Sequence, residues 1–66
     1  MQITIKQLTD TNAYRYETVD AHKYAMYQGY DIYADNDGWY YVQVNGEWSY
    51  FDSMNEARKF IRDIAK

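Results

Sequence analysis

The sequence predicts an α+β domain, an antiparallel sheet with an amphipathic C-terminal helix packed on one face. Three observations predict it. Ser53-Met54-Asn55-Glu56 is an S-x-x-E capping box, in which the Ser53 hydroxyl accepts from the Glu56 backbone N–H and the Glu56 carboxylate reaches back to Ser53. Beyond it Met54, Ala57, Phe60, Ile61 and Ile64 recur at helical spacing, with Asn55, Glu56, Arg58, Lys59, Arg62 and Asp63 on the other side. Asn36-Asp37-Gly38 and Asn45-Gly46 are tight-turn signals that cut Gly29–Phe51 into three strands. One helix with one apolar stripe needs a sheet to lie on, and these strands supply it.

The register follows from the turns. A three-residue loop with Gly38 in the left-handed position sets Ala34 opposite Tyr40, Ile32 opposite Val42 and Tyr30 opposite Val44. A type I′ turn at Asn45-Gly46 pairs Val44 with Glu47 and Val42 with Ser49. Both turns agree on one buried face, made of Tyr30, Ile32, Ala34, Tyr40, Val42, Val44 and Phe51, and the helix is expected to cover it. A four-residue loop at 35–38 would put Asp31 beside Val42 on that face and is rejected. The opposite face then carries Tyr33, Trp39, Tyr41, Trp48 and Tyr50 among Asp31, Asp35 and Gln43. It is either covered by the N-terminal part or exposed as a contact surface.

Ahead of these strands, Gln2–Leu8 alternates Ile3 and Ile5 with Thr4 and Lys6 and reads as an edge strand. Thr9-Asp10-Thr11-Asn12 is turn chemistry. Tyr14–Val19 is a second strand, with Tyr14, Tyr16 and Thr18 on one face and Arg15, Glu17 and Val19 on the other, completing a hairpin. Residues 20–28 have two readings. Asp20 as N-cap and Gly29 just past the end favour a short helix; the rival is a strand from Lys23 through Gly29 with the glycine at a bulge.

At 66 residues the chain is one domain, residues 1–28 leading into 29–66, near the lower limit of what folds without staples. It has no Cys, so disulfides and thiolate chemistry are excluded. Nine Tyr, two Trp and two Phe must carry the stabilising weight, each able to bury about 150–250 Å². Gln2-Ile3-Thr4-Ile5-Lys6 after Met1 does not resemble a signal peptide, and no apolar run is long enough to span a membrane; a cytoplasmic protein is expected.

The net charge of −3 is unevenly spread. Residues 24–57 hold Asp31, Asp35, Asp37, Glu47, Asp52 and Glu56 and not one Lys or Arg, whereas Arg58, Lys59, Arg62 and Lys66 face only Asp63 near the end. An acidic sheet and a basic outer helix face result, a polarity that bears on partners. Direct nucleic-acid binding at the sheet is disfavoured: bases stack on Tyr and Trp, but phosphates need Lys or Arg beside the rings. The basic helix edge has two readings, a phosphate contact and the commoner one of solvated, dipole-compatible surface.

No catalytic constellation is visible, so no enzyme is expected. His22 is the sole histidine and has no ligand set. Asp35-Asn36-Asp37-Gly38 resembles part of a calcium loop, but aligning Gly38 with that loop's glycine puts Tyr33 and Val44 where its first and last carboxylates belong. No phosphate-binding glycine loop occurs, and no metal or cofactor is expected. The candidate binding residues are Asp31, Tyr33, Asp35, Asp37, Trp39, Tyr41, Trp48 and Tyr50.

Tyr27-Gln28-Gly29-Tyr30-Asp31-Ile32-Tyr33, Gly38-Trp39-Tyr40-Tyr41-Val42, and Phe51-Asp52-Ser53 with Glu56-Ala57 and Phe60-Ile61 together resemble a recurrent small phage and prophage protein, in which a strand, a hairpin and a helix follow one another. Asp37-Gly38-Trp39-Tyr40-Tyr41-Val42 before a Ser-x-x-Glu-Ala helix is also similar to the N-terminal domain of HicB-type antitoxins, although this sequence lacks that family's longer loop before the helix and its DNA-binding tail. Small acidic α+β anti-CRISPR proteins share the size, charge and style. These likenesses imply a phage-type accessory protein, in the bacterial host cell, that inhibits a host defence (CRISPR-Cas) complex by binding a protein with a basic nucleic-acid-binding surface. The competing implication is an antitoxin-like or self-associating module with the aromatic face as a homodimer seam.

Overall fold

The computed structural model describes residues 1–65, with Leu8 described by its backbone alone; Lys66, counted above with the basic helix face, lies outside the described residues. Six antiparallel strands and one helix follow in chain order: β1 (Gln2–Leu8), β2 (Tyr14–Asp20), β3 (His22–Tyr27), β4 (Tyr30–Ala34), β5 (Tyr40–Val44), β6 (Glu47–Phe51) and α1 (Met54–Ile64). β1 and β2 form a two-stranded hairpin, and β3-β4-β5-β6 form a four-stranded meander. The α+β class and the helix on one sheet face are as the sequence predicts.

The turns set the meander. Asn45 and Gly46 take φ of 53° and 83°, and Val44 pairs with Glu47 and Val42 with Ser49. At the other loop Gly38 takes φ 90°, the Asp35 N–H donates to the Trp39 carbonyl at 3.1 Å, and Ala34 pairs with Tyr40. The faces therefore divide as the turn register requires. Ile32 and Val42 are fully buried against Ala57 and Ile61 of α1, with Tyr30, Tyr40, Val44, Phe51, Met54 and Phe60 packed around them. The Phe51 and Phe60 rings meet at 5.1 Å between centroids. At the start of α1 the Ser53 hydroxyl accepts from the Glu56 N–H at 3.2 Å, which fixes where the helix begins.

Residues 20–28 correct the sequence reading: β3 replaces the favoured short helix. The bulge also lies elsewhere than expected. Tyr27 pairs with Tyr30, Met26 with Asp31, Ala25 with Ile32 and Lys23 with Tyr33, leaving Tyr24 as the extra residue. A lone helix of two turns is marginal, whereas pairing with β4 satisfies the backbone and brings Ala25 and Tyr27 onto the helix-side core. Gly29 makes a turn instead, with Gln28 at φ 49° and Gly29 at φ 85°. Gln28 is an ill-suited occupant of this left-handed position, where Asn is favoured. Gln28→Asn is expected to raise stability by about 0.5 kcal/mol, read as a higher denaturant midpoint at unchanged slope; a lower midpoint would contradict the turn assignment.

The N-terminal hairpin lies on the aromatic face. β1 runs alongside β6. Cross-strand pairing puts Ile3 with Val19, Ile5 with Glu17 and Gln7 with Arg15, so these six share the inner side. Ile3 and Ile5 are buried with Ala21 and Tyr41, and Val19, Tyr33 and Trp48 pack against them. The chain passes from β2 to β3 through buried Ala21, whose N–H donates to the Met1 carbonyl at 2.8 Å and whose carbonyl accepts from the Met1 amine at 2.9 Å. The question left open by the sequence, whether the aromatic face is covered, is answered: the hairpin covers Tyr33, Tyr41 and Trp48.

Candidate functional site

The covering hairpin divides the eight candidate residues into three places. Tyr33 and Trp48 pack edge-on at 5.3 Å between ring centroids, against the hairpin, as part of the second core. Asp31 lies opposite Met26 on the β3–β4 ladder, and its carboxylate is 3.3 Å from the Lys23 ammonium. It is thus neutralised within the chain and stands apart from the rest. Asp35, Asp37, Trp39, Tyr41 and Tyr50 come together in one groove of about 370 Å³ between the hairpin and the β4–β5 loop. The hairpin supplies the other wall with Ile5, Gln7, Glu17 and Val19.

Asp35 organises the loop. One carboxylate oxygen, Oδ1, accepts from the Asp37 N–H at 2.9 Å and the Trp39 N–H at 3.0 Å; the other, Oδ2, accepts from the Tyr41 hydroxyl at 2.6 Å. Partial burial pushes its carboxyl up, but the bonds from Tyr41 and from the Trp39, Asp37 and Gly38 backbone outweigh this and hold it below the ordinary 3.8. Burial and the Asp35 bond push the Tyr41 phenol far above its ordinary 10.0, with the charges of Asp35, Glu17 and Asp37 adding to the effect. Asp35 is therefore spent on architecture, and the other carboxylates lining the groove are those of Glu17 and Asp37.

The sign of each shift fixes a pH test. Asp35, depressed, contributes stability that is present above pH 3.8 and lost as pH falls through its lower folded value. Tyr41, raised, contributes stability that is present below pH 10.0 and lost as pH rises toward its higher folded value. Tyr41→Phe should cost about 1–2 kcal/mol near neutrality. The gap between wild type and variant should then narrow at both pH extremes. A gap independent of pH in urea titrations would contradict the Tyr41–Asp35 bond.

At the mouth of the groove Trp39 and Tyr50 are 41% and 40% exposed, with ring centroids 5.7 Å apart. The Arg15 guanidinium, on the same inner side of the hairpin, pairs with the Glu17 carboxylate at 3.7 Å; this is longer than a hydrogen bond, so the carboxylate keeps acceptor capacity while its charge is partly offset within the chain. No Lys or Arg lines the groove. A wider groove of about 680 Å³ on the outer side of the hairpin, with Lys6, Tyr14, Tyr16 and Glu47, carries both signs of charge. Its cation is already seated, the Lys6 Nζ lying 3.9 Å over the Tyr14 ring.

Glu17 and Gln7 are absent from the sequence-derived candidates. The signal for them was present: they alternate onto the same side as Ile3, Ile5 and Val19, so a hairpin burying those apolar residues also turns Glu17 and Gln7 inward. Among the described residues no group of three or more His, Asp or Glu is placed to hold a metal ion, and no helix is long and apolar enough to cross a membrane. No family model, curated protein or solved structure matches the chain.

Proposed function

We propose that the protein acts by binding a basic, nucleic-acid-binding surface of another protein, as a phage-type inhibitor of a host defence complex of the CRISPR-Cas kind. The observation that supports this reading is the groove: the Asp37 carboxylate on a loop stiffened by Asp35, and the Glu17 carboxylate of β2, whose Arg15 partner stands 3.7 Å away outside the lining, beside two half-open aromatic rings. Carboxylates so placed engage Lys and Arg side chains that otherwise hold phosphates, and Trp39 and Tyr50 add the apolar anchoring that slows release. Nucleic acid itself is repelled by the same groove. The assignment to phage rests on the strand, hairpin and helix likeness given above, and that to host defence on the likeness in size, charge and style to small acidic anti-CRISPR proteins.

The test is competition. A CRISPR-Cas effector complex holding labelled target DNA should release it as the protein is added, with weakening inhibition as salt rises. Charge reversal at Glu17 or Asp37 should slow association, and Trp39→Ala should mainly speed dissociation. An effector that binds the protein yet retains its DNA, or binding indifferent to salt, would contradict the mechanism.

A further inference from the structure

Resting on this protein-binding reading, we infer that the groove takes an arginine side chain of the partner, in preference to lysine. The groove has three kinds of wall. Ile5, Val19 and the ring of Tyr41, which is 3% exposed, form an apolar inner side. Trp39 and Tyr50 stand half open at the mouth, and the charge comes from the Asp37 carboxylate and from the Glu17 carboxylate, which Arg15 approaches only at 3.7 Å. A cation entering here leaves water for an apolar and aromatic lining. The strongly hydrated ammonium of lysine loses more in that transfer than the weakly hydrated, planar guanidinium. The guanidinium also stacks on an indole or phenol face while its edge donates two N–H bonds to one carboxylate. Arginine's apolar stem suits the Ile5–Val19 side as well.

Lys6 rests on Tyr14 on the exposed outer side of the hairpin, where its ammonium can stay hydrated. At about 370 Å³ the groove matches a side chain rather than a folded segment, being near the lower bound of roughly 300 Å³ for small-ligand sites. Charge complementarity selects the occupant: a basic groove elsewhere would accept phosphate, and an uncharged one either sign.

The experiment is calorimetric titration of the intact protein with oligo-arginine and oligo-lysine peptides of equal length, at low and high salt. The arginine peptide is expected to bind about tenfold tighter, the factor a desolvated cation–π contact with a bidentate carboxylate adds. Glu17→Gln, an isosteric change at an exposed position, and Trp39→Leu should each bring arginine down to the lysine level. Equal affinities for the two peptides would overturn the inference and leave charge-driven binding of a basic partner intact. A preference that survives both substitutions would also overturn it, by placing the arginine elsewhere. Failure of both peptides to bind at low salt would overturn this inference and the groove-based reading beneath it.

Discussion

Deleting residues 1–12 is expected to unfold the domain. The deletion removes β1, and with it the buried side chains of Ile3 and Ile5 and every ladder bond of β2. It also removes the Met1 carbonyl and amine that hold Ala21 at the passage from β2 to β3. Tyr41 and Trp48 would lose their cover together. Each buried isoleucine is worth about 2–5 kcal/mol on truncation to alanine, while a domain of this size has a total stability of roughly 3–10 kcal/mol. The loss of two, with a strand, exceeds what remains. The truncated chain should show collapsed amide dispersion and no cooperative melt. A truncated chain that stays folded, with quencher-accessible Trp48, would show that the hairpin is an appendage and the aromatic face an independent surface.

Ile61→Ala carries the second large effect. Ile61 is 0% exposed and packs with Ile32, Val42 and Ala57, the four residues on which α1 rests against the sheet. Removing its branch leaves a cavity between α1 and the sheet, at a cost of about 2–5 kcal/mol. Arg62, the next residue, is exposed, and Arg62→Ala should stay within about 0.5 kcal/mol. Urea midpoints of the two variants at constant slope check the orientation of the helix. Comparable losses from both would mean that the stripe is turned away from the sheet.

What the sequence made legible was whatever local chemistry specifies. Asn45-Gly46 and Asn36-Asp37-Gly38 each demand positive φ at a defined place, and a period-two pattern then assigns every side chain of β4, β5 and β6 to a face. Ser53 with the Met54–Ile64 stripe does the same for α1. Residues 20–28 misled because Asp20 and Gly29 bracket them like helix caps, while the true turn uses Gln28, a residue with little preference for φ 49°. The bulge at Tyr24 breaks the alternation that would have betrayed a strand.

The groove was half legible. Asp35, Asp37, Trp39, Tyr41 and Tyr50 all derive from one hairpin register, and they do converge. Tyr33, Trp48 and Asp31 belong to the same face, but the docking of β1 and the reach of Lys23 take them out of it. Docking depends on contacts between residues 3–5 and 41–48, a long-range event that no local pattern encodes. The same event brings in Glu17, which the strand alternation had already placed beside Val19.

The proposed entry of a basic ligand between the hairpin and the β4–β5 loop is checked by amide chemical-shift mapping of the labelled protein, titrated with the oligo-arginine peptide at low salt. The largest perturbations should fall on Gln7, Glu17, residues 35–39 and Tyr50, with the Trp39 indole N–H among them and the Trp48 indole little changed. Perturbations confined to Glu47, Trp48 and the outer residues of the hairpin, with residues 35–39 silent, would contradict it.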